Sequence, residues 1–213
     1  VYLPAAVLNY LLLLGWAPEG EQEIFSLDEM IKIWDPARIS KSPAIFDPLK
    51  LRAINAAYIR ALPAEEFRKL ADPFIDQAVH VQIDRDLLCA NLQPRCEVLE
   101  DIPPQLDFFD AVLPIDAEMY RNKKQKTTPE SAKEALSALL PVLEAQTDWS
   151  RDAIFEACKQ KAEAMEKKNG WLLFPLGIAL SGKARTPGGG TDLAAMMGKE
   201  ETLRRLNAAI EAL

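Results

Sequence analysis

This 213-residue chain holds one histidine, His80, and three cysteines, Cys89, Cys96 and Cys158, none in a CxxC pair. Zinc of the usual Cys/His kind would find too few ligands at useful spacing, so no metal is expected. An odd cysteine count without close pairs argues against a disulfide framework and fits a reducing compartment, which makes the cytoplasm the expected location. Long apolar runs are also missing. Leu11 to Leu14 are continuous, but Pro4 and Asn9 precede them and Gly15 stops them, so a core helix is expected rather than a membrane span. Positive charge is not in excess: 25 basic residues face 32 acidic ones, a net charge of −7. Bulk attraction to a polyanion is thereby excluded, and any nucleic-acid contact must use a few placed Lys and Arg. No nucleophile or pocket accompanies the carboxylates, so no catalytic residue is assigned.

The charge is unevenly spread. Residues 1–62 carry 6 basic and 7 acidic groups, residues 63–108 carry 4 and 10, and residues 109–213 carry 15 and 15. The acidity sits in the middle block, which leaves room for a basic face elsewhere. Lys123-Lys124-Gln125-Lys126 is the one basic cluster and reads as a solvated turn.

Helix signals dominate what is present. Ser26-Leu27-Asp28-Glu29 is a capping box ahead of Met30, Ile31, Ile33 and Trp34. Asp47-Pro48 is an N-cap with proline at the first helical position, and Leu49 to Ile59 follow at helical spacing. Pro63-Ala64-Glu65-Glu66 opens another helix, with Phe67, Leu70 and Phe74 as its buried side. Thr128-Pro129-Glu130 starts one running to about Leu143. A further helix is expected from Asp148 to about Lys168, ended by Asn169-Gly170. Thr191-Asp192 begins a short helix, and Lys199 to Leu213 makes the last. Trp16, Trp34, Trp149 and Trp171 are expected in core or helix-entry packing. The fold class is all-α, with seams near residues 62 and 108.

Two motifs imitate nucleotide sites. Ile39-Ser40-Lys41-Ser42 looks like the KMSKS loop of class I aminoacyl-tRNA synthetases, but Arg38 holds its first position and it precedes a helix cap. It reads as a turn in which Lys41 touches an RNA phosphate. Gly177 to Lys183 has Walker A spacing, but Ala184 stands where a Mg²⁺-binding hydroxyl belongs and the interior is apolar, so no nucleotide site is assigned.

Five segments in order carry a resemblance. They are Tyr2-Leu3-Pro4 with its apolar helix, Ser40-Lys41-Ser42-Pro43-Ala44-Ile45-Phe46-Asp47, Gln93-Pro94-Arg95, Phe174-Pro175-Leu176, and Gly198-Lys199-Glu200. Together they resemble the part of bacterial glutamyl-tRNA synthetases that follows the catalytic domain. The resemblance implies three helical parts: residues 1–62 contacting the tRNA stem, and residues 63–108 and 109–213 binding the anticodon. The resemblance implies Gln93, Pro94 and Arg95 as anticodon contacts: Arg95 falls where the family's "RPR" turn reads the third anticodon base, with Gln93 replacing the first arginine. A guanidinium is a planar donor fork, and an unstacked cytosine offers acceptors on its pairing edge. Lys183, Arg185, Thr186, Pro187 and Gly188 match the family's turn near the first two anticodon bases, although Gly190 and Thr191 stand where apolar residues are usual. Gly177 stands where an arginine is usual. Lys41, Lys50, Arg52, Asn55 and Arg60 are implied contacts to the tRNA stem and backbone.

The resemblance further implies tRNA(Glu) as partner, a monomer, and a parent ligase that uses ATP and Mg²⁺. The first residue is valine rather than methionine, so the catalytic domain is expected to precede it, leaving this portion inert on its own and without a cofactor. The competing expectation is a helical protein-interaction module that binds no RNA, supported by the net acidity and the departures at Gln93, Gly177 and Gly190.

Overall fold

A computed structural model describes residues 1–41 and 43–213. Ser42, the end of the KMSKS-like motif, lies outside the described residues. Among the described residues there are ten α-helices and no sheet, only isolated bridges at Trp16–Ile39 and Asn122–Thr127. The all-α expectation is met. The chain forms two compact units, one of Val1–Phe74 with Leu92–Ile102, the other of Ile75–Asn91 with Pro103–Leu213.

In the first unit, helix α1 (Pro4–Gly15) packs on α3 (Pro48–Ala61) through Ala6, Tyr10, Leu51 and Ile54. Two polar residues fix the chain around this core. Asn9, fully buried, donates to the Glu23 carbonyl at 2.8 Å and accepts from the Phe25 amide at 2.8 Å. Tyr10 Oη accepts from the Asp47 amide at 2.6 Å, and Asp47 in turn accepts from the Leu49 and Lys50 amides as the α3 cap. Buried donors and acceptors without partners are costly, so these bonds specify where the two loops run. Helix α2 (Leu27–Ile33) has the expected capping box: the Ser26 amide donates to Glu29 Oε2 at 2.7 Å and the Glu29 amide to Ser26 Oγ at 3.3 Å. Segment 92–102 returns to α3 through side chains. Arg52 Nε donates to Glu97 Oε2 at 2.8 Å, and Asn55 Nδ2 donates to the Glu97 carbonyl at 2.5 Å.

Helix α4 (Ala64–Ile75) buries Phe67, Ala71 and Ile75. Leu70, expected inside, is 38 % exposed. At 100° per residue it lies to one side of the stripe that the i, i+4, i+8 set defines. Helix α5 (Arg85–Leu92) comes next in the chain.

The second unit is built on five mutually packed helices, α6 (Pro129–Ala145), α7 (Arg151–Ala164), α8 (Asn169–Ser181), α9 (Gly190–Met197) and α10 (Lys199–Ala212). Two boundaries differ from expectation. Helix α7 stops at Ala164, with Glu166 in the left-handed region at φ 54°, and Asn169-Gly170 opens α8 instead of closing α7. Pro141 lies inside α6, a position where proline ordinarily ends or kinks a helix. Arg205 of α10 is the largest fully buried side chain and donates to the carbonyls of Phe108, Leu180 and Phe109 at 2.7, 2.6 and 2.8 Å.

Candidate nucleic-acid interface

The Gln93-Pro94-Arg95 turn belongs to the first unit. Its three residues form a single 3₁₀ turn with proline in the first positions, closed by the Cys96 amide on the Gln93 carbonyl at 3.4 Å. Gln93 Nε2 donates to the carbonyls of Ile59 and Leu62 at 3.0 and 2.8 Å. Those carbonyls lie at the C-terminal end of α3, where the Ile59 carbonyl also accepts from the Leu62 amide at 3.2 Å. Gln93 therefore spends its amide on fixing the turn to α3. Pro94 and Arg95 are exposed. The turn presents a guanidinium from a backbone held on both sides. Burial beside Cys96 pushes that thiol up to about 11, so it is an inert core group and not a nucleophile.

The expected stem contacts divide. Arg52 and Asn55 share a face, as their spacing requires, and that face is turned to segment 97–101 of the same unit. Arg52 Nη2 also reaches Asp101 at 2.5 Å, so its fork is held by two carboxylates, and hydrogen bonds to Glu97 and then Asp101 raise its pKa. Asn55 is fully buried and accepts from the Leu3 amide at 2.7 Å. Lys50 pairs with Glu23 at 2.6 Å. Lys41 and Arg60 are exposed, and among the described residues neither forms an ion pair.

Segment 183–188 belongs to the second unit. Gly182, at φ 67°, ends α8 with its amide on the Ile178 carbonyl at 2.8 Å. A Cβ there would also sit 2.9 Å from the Leu113 carbonyl oxygen, so glycine is required twice over. The Walker-like Gly177–Lys183 run is thus helix and helix cap, with its amides spent inside α8, and cannot wrap a phosphate. Lys183 Nζ donates to the Pro104 carbonyl at 2.8 Å and pairs with Asp107. Pro187 is buried, Thr186 Oγ1 donates to the Gly188 carbonyl at 2.6 Å, and Arg185 is exposed. The turn's glycines answer to packing. A Cβ on Gly188 would lie 2.7 Å from Asp192 Cβ, and one on Gly190 would lie 2.8 Å from the Leu173 carbonyl oxygen. At the start of α9, Asp192 accepts from the Gly189 amide at 2.7 Å and from Arg151 Nε at 3.0 Å. A carboxylate of the protein itself thus occupies the N-terminal end of α9, where amide donors and the helix dipole favour an anion. Arg151, absent from the sequence expectation, is the cation nearest that carboxylate; its one signal was its place directly after the Ser150 cap.

Trp16 and Trp171 are buried, and Trp149 donates to the Ala194 carbonyl at 2.9 Å. Trp34 departs from the core role expected of it and is 51 % exposed. Among the described residues no His, Cys, Asp and Glu side chains group as a metal site, and no helix is long and apolar enough to cross a membrane.

An all-α protein that sets arginines on short, backbone-anchored turns is of a class suited to nucleic-acid contact. Comparison with known proteins narrows the class. The family model described as "Anticodon binding domain" matches residues 55–210, and that of the catalytic domain of class I tRNA synthetases (E and Q) matches residues 1–53. The chain belongs to the anticodon-binding domain family. It is 44% identical to glutamate–tRNA ligases of Clostridium botulinum strain Hall, over 212 residues, and of Clostridium acetobutylicum, over 213 residues. In both cases the match spans 100% of this chain and 44% of the relative. A crystal structure of a glutamate tRNA ligase from Elizabethkingia meningosepticum in complex with its amino acid superposes with a TM-score of 0.86 at 30% identity, over 100% of this chain and 42% of that one. Glutamate-tRNA synthetase from Elizabethkingia anophelis gives 0.79 at 29%, over 99% and 41%. The resemblance to glutamyl-tRNA synthetases drawn from the five segments is met by these relatives, of whose length this chain spans less than half.

Proposed function

We propose that this chain is the tRNA-recognising portion of a glutamate–tRNA ligase and that Arg95 reads the third anticodon base of tRNA(Glu). The observation that carries the reading is the fixed Gln93–Arg95 turn, which holds an exposed guanidinium on a backbone tied to α3. Pre-organised donors lose little entropy on binding, which suits base-edge recognition over bulk attraction. Arg185, exposed beyond the α8 cap, supplies a second cation, with Lys183, Thr186, Pro187 and Gly188 shaping its turn. Lys41 and Arg60 are the available stem contacts, and Lys50, Arg52 and Asn55 support the surface around them. In this reading residues 1–62 serve the tRNA body, and residues 63–108 and 109–213 serve the anticodon. ATP, Mg²⁺ and the joining of glutamate to tRNA belong to the longer ligase. The portion alone is a catalytically inert, cytoplasmic monomer. The family match over residues 55–210 favours this over a protein-interaction module without RNA binding.

Filter binding of the chain to tRNA(Glu) across a salt series tests the reading. Arg95→Ala is expected to cost about 1–3 kcal/mol and to flatten discrimination at the third anticodon base. With about three cations on single-stranded or backbone phosphates, log affinity should fall with log salt at a slope near −2. Equal loss for every third base would reduce Arg95 to a phosphate contact. Absence of binding to any tRNA at low salt refutes the RNA-recognising role.

A further inference from the structure

Three glycines in succession, Gly188 to Gly190, leave the chain between α8 and α9 without side chains to define its path. Part of the definition comes from outside the run. Asp192, in the first turn of α9, accepts from the Gly189 amide through Oδ2 at 2.7 Å, and its Cβ lies 2.7 Å from where a Cβ on Gly188 would be. Its other oxygen, Oδ1, accepts from Arg151 Nε at 3.0 Å. Arg151 opens α7 and is held on two further sides. Its Nη1 donates to Asp152 at 2.8 Å, and its guanidinium carbon lies 5.5 Å from the centre of the Phe155 ring. The Asp192 side chain is 14 % exposed and that of Arg151 46 %. The carboxylate is thus committed to the protein, and a planar fork with donors at fixed angles sets the way it faces. These residues and the exposed Arg185 belong to one unit, the second.

We infer that Arg151 and Asp192 form a clamp that sets the path of residues 186–189, and that both are positioning residues for the anticodon bases other than the third; this rests on the reading above in which residues 183–188 serve the anticodon. The chain of bonds runs from α7 through Asp192 to the Gly189 amide, and Thr186 Oγ1 on the Gly188 carbonyl carries it back into the turn. Hydrogen bonds to base edges weaken steeply with misalignment, so a turn free to shift would bind RNA but read it less sharply. Two blander roles differ in their consequences. An ion pair this exposed adds little stability, so a purely structural Arg151 would be dispensable for base discrimination. A phosphate-contacting Arg151 would be replaceable by any cation.

Filter binding to tRNA(Glu), and to transcripts changed at each anticodon base, compares Arg151→Ala, Arg151→Lys and Asp192→Asn. The clamp needs Nε on one carboxylate and Nη1 on another, whereas lysine carries all its donors on a single nitrogen. Asparagine keeps an acceptor for the Gly189 amide but turns an NH₂ towards Arg151. Each variant should lose about fivefold in discrimination at the first two bases and nothing at the third, with the salt slope unchanged. Arg151→Ala combined with Asp192→Asn should lose no more than either alone. Wild-type behaviour of Arg151→Lys, or a salt slope shallower by about 1 in Arg151→Ala, would make Arg151 a phosphate contact and overturn the inference. Unchanged discrimination in all three variants, or additive losses in the double one, also overturns it. Amide exchange at Gly189, measured without RNA, is the second readout. It should quicken about fivefold in Arg151→Ala at an unchanged melting temperature. Unchanged exchange in a chain that binds tRNA refutes the clamp alone. Quickened exchange in a chain whose wild type binds no tRNA refutes the anticodon reading, and the positioning role with it.

Discussion

Arg205→Met should lower the stability of the second unit by about 3–5 kcal/mol, although it swaps a buried charge for an apolar side chain of similar length. Arg205 has no exposed side-chain surface and makes four bonds: Nε to Glu201 Oε1 at 2.6 Å, and Nη1 and Nη2 to the carbonyls of Phe108, Leu180 and Phe109. Hydrogen bonds to a charged group contribute roughly 1.5–3 kcal/mol each, so four would sum to about 6–12 if they were additive. They share one group whose desolvation cost is recovered on removal, which brings the net down to the range measured when one partner of a buried set is deleted. Methionine does not bring the gain seen when both partners of an ion pair become apolar, because the three carbonyls are backbone and stay buried without a donor. The assay is urea unfolding followed by fluorescence in a Trp16→Phe, Trp34→Phe background. Trp149 and Trp171 then report the second unit alone, since the two substituted tryptophans lie in the first. With a urea dependence of about 2 kcal/mol per molar, the midpoint should fall by roughly 2 M. Arg205→Lys, with three donors in place of the planar fork, should fall in between. A shift under about 0.5 M for Arg205→Met would refute the reasoning and mean that water or a rearranged turn satisfies the carbonyls.

Gly190→Ala should destabilise the second unit by about 1–3 kcal/mol, because its Cβ would meet backbone at Leu173 and Gly177, at 2.8 and 2.9 Å, where nothing can give way locally. Gly15→Ala, with no atom within 4 Å of the added carbon, should be neutral or slightly stabilising, and paired thermal melts check both. Acid should weaken the second unit. Bonds from Arg204 and then Arg205 hold Glu201 at about 2 instead of 4.5, and the His80 amide and ring followed by the Val81 amide hold Asp110 below the usual carboxylate range. Both pKa values are depressed on folding, so their contribution is complete above the ordinary carboxylate range and is lost as pH falls from about 4.5 towards 2. Glu201→Gln should flatten that acid limb in urea midpoints measured across pH; an unchanged limb would refute the assignment.

Where one turn of chain decides the outcome, the sequence was readable. Ser26 with Glu29, Asp47 with Pro48 and Thr128 with Pro129 start helices because the capping atoms lie within three residues of the amides they satisfy. Asn169-Gly170 misled because the pair suits the end of one helix as well as the first turn of the next, and the run from Trp171 to Leu180 is apolar all round and has no face to mark a period. Leu70, Trp34 and Arg205 were illegible for a related reason: spacing gives a face, but only the partner decides whether that face is covered. Nothing local marks Arg205 as buried, because its three carbonyl partners are 25 to 97 residues away in the chain.

The candidate site shows the same division, and it bears on the departures that spoke against RNA binding. Gln93 replaces an arginine usual in the family, which looks like a lost base contact if that position faces the RNA. Its amide instead donates to two carbonyls at the end of α3. An arginine has donors enough for the same two bonds. Glutamine anchors the turn there, and the outward position is that of Arg95. Gly190 stands where the family usually has an apolar residue, yet α8 comes so close that a side chain would strike backbone. Gly177 lies opposite, with the Gly190 Cα 3.8 Å from where its own Cβ would be, so the two glycines together set the α8–α9 approach. A departure from family pattern counts against function only where the side chain faces the ligand. Gln93 and Gly190 are both turned into the protein, and neither weighs for a module without RNA.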